Sequence, residues 1–196
     1  MIGNKLEQSI ISVFQNNLSA TFSINEISKI LKKSYPNINM KSNYFLKEGV
    51  LKKIDIGRSY RCYLNIENEK AKIFMTINEL NAREELLQKK PELSKVEPTI
   101  MGVLMKNPAK IAMISGKRVI IVAENTNQFH NYTKNMLPAG YSISITDVES
   151  FKKEFLENKD MQANHLILSN INDYLEIISD LNEKLLMKGL LGKNEK

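Results

Sequence analysis

The spacing of apolar positions in residues 1–65 predicts three helices followed by a β-hairpin. Apolar side chains recur at helical intervals, so each predicted helix has one apolar face. After Gly49 the period changes to an alternation of apolar and polar residues, which predicts two strands joined by a turn. The predicted helices are 5–16, 24–32 and 38–48, and the predicted strands are 50–54 and 60–64, with a turn at 55–59.

Short local signals indicate where these helices begin and end. Ser23 followed by Glu26 is a capping box, in which each side chain accepts a hydrogen bond from an amide at the helix start. Pro36 is expected to break the chain before the third helix, because the residue preceding a proline disfavours the helical conformation. Gly49 is expected to end the third helix in a left-handed cap. The residues expected to face inward are Ile24, Ile27, Ile30 and Leu31 in the second helix, and Ile38, Ser42 and Phe45 in the third.

The middle of the chain is predicted to be a helix at 66–88 and a boundary loop. Ile66, Ile73, Leu80 and Leu87 lie at intervals of seven in this helix, and Ile77 is a further apolar position. Charged residues at the accompanying positions argue against a strong coiled coil, so packing against the first helix or against a second subunit is favoured. The stretch 89–98 is polar and bounded by prolines, which is typical of a domain boundary. We therefore predict three parts: residues 1–65, a linker at 66–98, and residues 99–196.

Helices and strands alternate in the last part, which predicts a small α/β domain and makes the whole chain an α+β protein. Thr146 and Glu149 have the spacing of a second capping box. The predicted strands are 110–114, 118–123, 141–145 and 165–168, and the predicted helices are 99–106, 127–136, 147–158 and 172–188.

The excess of positive charge is confined to one segment. The formal net charge of the 196 residues is +6. The stretch 23–61 holds nine basic and three acidic residues, a surplus of six, so the rest of the chain is neutral overall. A localised basic patch is expected of a protein that binds a polyanion, although a solvated lysine-rich surface explains the charge equally well.

Other features of the composition exclude several classes of protein. No apolar run approaches the roughly 20 residues needed to span a bilayer, so no membrane partner is predicted. Residues 1–8 lack the apolar core of a signal peptide. Cys62 is the only cysteine, which excludes an internal disulfide framework and is typical of a reducing, cytoplasmic location.

The third predicted helix presents side chains suited to reading DNA. On a helical wheel the outward positions are Asn39, Met40, Asn43, Tyr44 and Lys47. Asparagine can make two hydrogen bonds to adenine, methionine can touch a thymine methyl group, and lysine can reach phosphate. The alternative is that these are ordinary exposed helix residues.

Four cationic side chains are candidates for phosphate contacts, namely Lys41, Lys47, Arg58 and Arg61, whereas Asn39, Asn43 and Tyr44 are the candidates for discrimination between bases. Arg58 lies near the tip of the predicted hairpin, and Arg61 lies on its returning strand. An arginine in this position can enter a minor groove. Charge on a hairpin also keeps an edge strand soluble, which is the structural alternative.

The segment 23–65 resembles the winged helix-turn-helix domains of archaeal and bacterial regulators. The residues that carry the resemblance are INEISKIL at 24–31, FLKEGVLKK at 45–53 and RCYLN at 61–65. The resemblance implies that the third helix enters a major groove and that the hairpin is the wing. It also implies double-stranded DNA as the partner and a homodimer on two half-sites.

The last part is similar to the minimal nucleotidyltransferase domain that some archaeal proteins carry after a winged helix. The matching pieces are AKIAMISG at 109–116, VIIV at 119–122, YSISIT at 141–146 and NHLILSN at 164–170. Active members have Gly-Ser after the first strand and two alternating aspartates entering the second. Here the order is Ser115-Gly116, and Lys117 and Val119 stand at the aspartate positions. Because lysine and valine cannot hold magnesium, the resemblance implies a catalytically silent relative.

These observations predict a DNA-binding transcriptional regulator with a non-catalytic second domain and no cofactor. The alternatives are a nucleotidyltransferase-type enzyme, and a module that binds protein or RNA. No metal site is predicted, because His130 and His165 have no cysteine or carboxylate at ligand spacing. The stretch 115–117 is interpreted as a plain turn rather than as an anion-binding loop.

Overall fold

The structure, a computed structural model, describes residues 5–129, 137 and 139–191. The chain is a mixed α+β protein that contains two small sheets, and this confirms the predicted class. It divides into two compact units. Unit 1 consists of residues 1–78 and 178–196, and unit 2 consists of residues 79–177.

Unit 1 follows the predicted order of three helices and a hairpin. A core of buried apolar side chains joins them, in which Phe14 packs edge-on against Phe22 and Phe45 packs edge-on against Phe74. The elements are α1 Lys5–Gln15, α2 Ile24–Leu31, α3 Tyr35–Lys47, β1 Leu51–Ile56, β2 Ser59–Leu64, the start of α4 Glu69–Lys89, and α9 Asn182–Leu191.

Two of the predicted helix ends are confirmed, and one is wrong. Both hydrogen bonds of the Ser23–Glu26 capping box are present at the start of α2. Gly49 has a φ of 71° beyond the end of α3, which is the left-handed conformation expected there. The third helix, however, begins at Tyr35 instead of Ile38. Pro36 lies in its first turn, where the missing N–H has no helical partner to lose.

The hairpin is a tight antiparallel pair. Ile56 pairs with Ser59, so the turn consists of Gly57 and Arg58 alone. Gly57 has a φ of 60°, which an L-residue adopts only with strain. The segment between α1 and α2 also joins the hairpin, since Phe22 forms an antiparallel bridge with Cys62.

Two predicted apolar faces in unit 1 are partly wrong. Ile30 was expected to face inward but is 51% exposed. In α4, Ile73 and Leu80 are also exposed, although they belong to the predicted stripe. The buried apolar residues of α4 are Ala71, Phe74 and Met75. This face meets α1 through hydrogen bonds from Gln15 to the Met75 carbonyl and from Asn78 to Gln15.

Unit 2 is built on a four-stranded mixed sheet. Its order is β5-β4-β3-β6, in which β4 pairs with β5 in parallel and the other neighbours are antiparallel. Its strands are β3 Ile111–Ser115, β4 Arg118–Val122, β5 Ser142–Thr146 and β6 His165–Ser169. Its helices are α5 Leu93–Lys106, α6 Val148–Glu157, α7 Lys159–Ala163 and the start of α8 Ile171–Asp180, with a short 3-10 turn at Thr126–Phe129.

Both faces of this sheet are buried. Ala112, Val119 and Leu166 belong to a core that also contains the apolar side chains of α5. The alternate residues Met113 and Ile120 are buried as well. Strands that are covered on both sides explain why β3 and β4 are almost continuously apolar.

Several observed elements of unit 2 differ from the predicted ones. The proposed boundary loop at 89–98 contains the first turns of α5, which carries Pro98 inside it. Asp147, and not Thr146, caps α6 by accepting a hydrogen bond from the Ser150 amide. The predicted closing helix is two helices, α8 and α9.

The predicted helix at 127–136 lies largely outside the described residues. The contact-based units also differ from the predicted parts, because the last residues of the chain belong with the first.

Candidate nucleic-acid interface

The outward face of α3 is exposed as the helical wheel predicts. Ile38, Ser42 and Phe45 are fully buried, and this orientation leaves the other sides of the helix in solvent. Met40 is 60% exposed, and Asn43 and Lys47 are exposed too. Asn39 is half-buried and accepts a hydrogen bond of 3.2 Å from the Asn43 amide. The structure therefore brings Asn39, Met40, Asn43 and Lys47 to one helix surface.

Six cations lie on α3 and on the elements next to it, α2 and the β1–β2 hairpin. All are exposed, and in the part of the chain that the structure describes none of them forms an ion pair with a carboxylate. They are Lys29, Lys32 and Lys33 around the end of α2, Lys47 at the end of α3, and Lys53 and Arg58 on the hairpin. A charge without a nearby counter-charge keeps its full field for an external anion.

The turn between α2 and α3 has a fixed conformation. Lys32 is left-handed with a φ of 51° and closes α2, and the Ser28 hydroxyl donates a 2.8 Å hydrogen bond to the Lys33 carbonyl. These contacts hold both lysines in the turn that leads into α3.

Lys41, a predicted phosphate contact, forms an ion pair inside unit 1. Its ammonium group donates a 2.7 Å hydrogen bond to the Glu7 carboxylate of α1, and the side chains are only 23% and 12% exposed. This ion pair fastens α3 to α1. Lys41 is therefore a structural contact within unit 1, with its charge already neutralised.

Arg61 is also engaged inside the unit. Its guanidinium donates hydrogen bonds to the carbonyl and hydroxyl of Thr21 and forms a 2.7 Å ion pair with Glu26. Burial opposes ionisation of Glu26, but hydrogen bonds from the Ser23 amide and from Arg61 outweigh it and lower the pKa of that carboxyl. Arg61 thus joins the hairpin to the start of α2.

Tyr44 contacts α4 and is also partly exposed to solvent. The ammonium of Lys70 donates hydrogen bonds to the Tyr44 hydroxyl and to Glu48, and it lies 4.6 Å from the centre of the tyrosine ring. The hydroxyl of Tyr44 raises the pKa of Lys70, as does the Glu48 carboxylate, while burial acts against them. Tyr44 is still 40% exposed.

Tyr35 of α3 and Tyr60 of β2 are not among the residues that the sequence singles out. Tyr35, at the first position of α3, is 48% exposed and lies close enough to Tyr60 of β2 to contribute to the raised pKa of Tyr60, after burial and Cys62. Lys53 lies 5.8 Å from the Tyr60 ring.

Cys62 lies in the centre of the hairpin and is fully buried. Burial raises the pKa of its thiol to about 11, so the thiolate is scarce at neutral pH. The side chain therefore acts as a small apolar residue of the core.

The residues compared with nucleotidyltransferase motifs form a simple hairpin in unit 2. Ser115 pairs with Arg118, so Gly116 and Lys117 make a two-residue turn, and the interpretation of this stretch as a turn is confirmed. Val119 is fully buried in the sheet. Among the described residues, no group of three or more His, Cys, Asp or Glu side chains is arranged to hold a metal ion, and His130 lies outside those residues.

Comparison with known proteins returns no match to this chain among protein-family models, curated proteins or solved structures. Within the described ranges, no helix is both long and apolar enough to cross a bilayer. Inferences about function therefore depend on the surface of the molecule itself.

Proposed function

We propose that unit 1 is a winged helix-turn-helix that binds double-stranded DNA and serves as a transcriptional regulator. In this proposal α3 enters the major groove and the β1–β2 hairpin is the wing. The order of helices and hairpin supports it, as does the bridge that adds the segment around Phe22 to the hairpin. The observation that carries the proposal is the group of six exposed, unpaired cations around α3.

The ion pairs within unit 1 divide its basic residues into two groups. Lys41 and Arg61 are neutralised by Glu7 and Glu26, so we assign them to the stability of the unit. Lys47 and Arg58 keep their charges, and they flank the exposed face of α3 at one end and on the hairpin tip. Affinity for phosphate should therefore depend on Lys47 and Arg58, with Lys29, Lys32 and Lys33 as further contacts.

The first test measures binding to a mixed-sequence DNA duplex by fluorescence anisotropy over a range of salt concentrations. Lys47→Ala and Arg58→Ala should each weaken binding, and each should reduce the slope of log affinity against log salt by about one. Lys95→Ala is the matched control, since Lys95 is an exposed lysine in unit 2 and its loss changes the net charge equally. The same affinity and slope in the two unit 1 variants would contradict the proposal.

A second arm separates DNA from RNA. The deep, narrow major groove of A-form RNA does not admit a helix, so duplex RNA should compete poorly for the wild-type protein. Competition by RNA at the same concentration as DNA would favour an RNA-binding module instead.

Sequence preference should depend on the amides of α3. Asn43 donates one N–H to Asn39, and its second N–H and its carbonyl oxygen remain for two hydrogen bonds to an adenine. We expect Asn43→Ala to relax preference at one base pair, with a loss of about 1–3 kcal/mol in discrimination, when selected sequences are compared. Equal sequence selectivity of the wild type and Asn43→Ala would show that the hydrogen bond between Asn43 and Asn39 only stabilises the helix.

The homodimer stays a prediction. Winged helices that read two half-sites bind with two-fold symmetry, and light scattering with and without a palindromic duplex would measure the stoichiometry.

A further inference from the structure

A pocket with a volume of about 340 Å³ opens between α1 and the end of α2 in unit 1. Pockets for small molecules typically measure about 300–1,000 Å³ and are mostly apolar, with a few polar groups that fix the orientation of the ligand. A dry cavity of about 150 Å³ in another protein holds benzene, so this larger space admits a molecule with two fused rings. The chemistry of the lining indicates which kind of molecule fits.

One side of the lining is polar and belongs to α1. Ser9, Ser12 and Asn16 recur at intervals of three and four, which places them on one side of the helix. The two serine hydroxyls already donate, over 2.7 and 3.1 Å, to backbone carbonyls of the preceding turn. A hydroxyl oxygen has lone pairs besides its single donor, so both oxygens can still accept a hydrogen bond from a ligand.

The rest of the lining is apolar, and the fold fixes it in place. It consists of Val13, Phe22, Ile30 and Leu31. The ring of Phe22 packs edge-on against Phe14 at 5.4 Å, and its backbone forms a bridge to Cys62 of the hairpin. Ile30 is 51% exposed at the edge of the pocket. A ligand that covers Ile30 removes apolar surface from water, which favours binding.

The absence of charge in this lining selects a neutral ligand. Among the residues that the structure describes, no charged side chain lines the pocket. Lys29 and Lys32 are next to Ile30 and Leu31 in the sequence but are not part of the lining. An ion that enters loses hydration without gaining a counter-charge, whereas a neutral molecule does not incur this cost.

We propose that this pocket binds a small neutral aromatic molecule that carries one O–H or N–H donor. Its rings contact Phe22 and cover Ile30, because aromatic rings pack favourably on one another. Its donor group bonds to the hydroxyl oxygen of Ser9 or Ser12. The site is separate from the proposed DNA contacts and is tested without DNA, so either proposal can fail alone.

The test is a titration of the full chain with 2-naphthol, whose fluorescence is easy to follow because the chain contains no tryptophan. The comparison ligands keep the same two rings: 2-naphthoate carries a negative charge, and 2-methoxynaphthalene lacks the donor. Salt at about 1 M reduces the screening length to about 3 Å, so exposed lysines do not attract the anion from a distance.

We expect 2-naphthol to bind at least about tenfold more tightly than 2-naphthoate and about fivefold more tightly than 2-methoxynaphthalene. The first difference measures the neutrality of the lining, and the second measures the hydrogen bond to serine. Absence of saturable binding of 2-naphthol up to about 1 mM would overturn the proposal, as would equal or tighter binding of either comparison ligand.

Ile30→Ala and Ile73→Ala form a matched pair of variants. Both residues are exposed isoleucines on helices of unit 1, at 51% and 43%, but Ile73 lies outside the lining of the pocket. Ile30→Ala should weaken binding of 2-naphthol by about fivefold to tenfold, because it removes apolar surface that the ligand covers. Ile73→Ala should bind like the wild type. Equal affinities of Ile30→Ala and the wild type would show that 2-naphthol binds elsewhere.

Protein concentration distinguishes a ligand site from a contact between copies of the chain. If a second copy covered the pocket, it would compete with 2-naphthol, and the apparent affinity would fall as the protein concentration rises. We expect the affinity to be independent of protein concentration. A progressive fall would assign the pocket to self-association and refute the ligand site.

Discussion

Single side chains decide which basic residues of unit 1 remain available to an external anion. The sequence places Lys41 and Arg61 in the same basic segment as Lys47 and Arg58. In the folded chain, Lys41 reaches Glu7 of α1, and Arg61 reaches Thr21 and Glu26. Glu7 lies outside this segment and Glu26 is distant from Arg61 in sequence, so a count of charges along the chain cannot reveal the pairing.

The contact between Glu26 and Arg61 makes a prediction about pH. Hydrogen bonds keep the pKa of Glu26 below the value of 4.5 that is usual for this group, so the folded state binds that proton less readily than the unfolded state. The stabilisation is fully present above pH 4.5 and is lost as the pH falls through the lowered pKa. We expect Glu26→Gln to be less stable than the wild type at neutral pH, and the difference to disappear in acid.

Urea denaturation at several pH values measures this difference in the free energy of unfolding. Glu84→Gln, an exposed glutamate on α4, is the control and should track the wild type at every pH. A difference for Glu26→Gln that is the same at neutral and acid pH would show that its charge is not the cause.

At the scale of elements, α4 shows how a short periodic pattern can indicate the wrong face. The interval of seven between Ile66, Ile73, Leu80 and Leu87 suggested one stripe, but Ile66 precedes the helix, Ile73 and Leu80 are exposed, and Leu87 is half-buried. The buried face instead uses Ala71, Phe74 and Met75. An apolar spacing of seven is compatible with several orientations, and packing against α1 selects one of them.

Two neighbouring substitutions in α4 test this orientation. Phe74 is 2% exposed and packs against Phe45, so Phe74→Ala should lower the free energy of unfolding by about 3–5 kcal/mol. Ile73 is 43% exposed, and Ile73→Ala should cost less than about 1 kcal/mol. Chemical denaturation measures both changes in the free energy of unfolding. A larger loss for Ile73→Ala than for Phe74→Ala would show that this orientation of α4 is wrong.

At the scale of the whole molecule, the two ends of the chain belong to the same unit. Residues 178–196 group with residues 1–78, and Leu181 and Leu185 are buried. The chain therefore leaves unit 1, forms unit 2 and returns. A domain boundary read from composition at 66–98 would leave α9 with the second part, because sequence separation carries no information about where a last helix packs.

Leu185→Ala tests this return of the chain. Removing the side chain of a fully buried leucine costs about 2–5 kcal/mol, and the loss should be confined first to the unit that contains it. In hydrogen exchange, amides of residues 5–78 should lose protection in this variant, while the sheet of unit 2 keeps most of its protection. Leu168→Ala is the converse variant, since Leu168 lies in the core of unit 2. If Leu185→Ala instead reduced protection mainly in the sheet of unit 2, the assignment of α9 to unit 1 would be wrong.

Local chemistry by itself determined much of this protein. The capping box at Ser23, the left-handed Gly49 and the alternation in the hairpin were all readable from the sequence, because each depends on residues a few positions apart. The same holds for the inward positions of α3 and for the class of the fold, since periodicity follows from backbone geometry.

The tertiary structure alone decided what depends on distant residues. It selected the buried face of α4, neutralised Lys41 and Arg61, and placed Glu79 beside His165. Each of these contacts joins residues well separated in sequence, and its energy depends on the side chains that folding places opposite. The basic surface around α3 has both origins: the sequence concentrates its charges, and the ion pairs of the folded chain leave six of them without a carboxylate partner among the described residues.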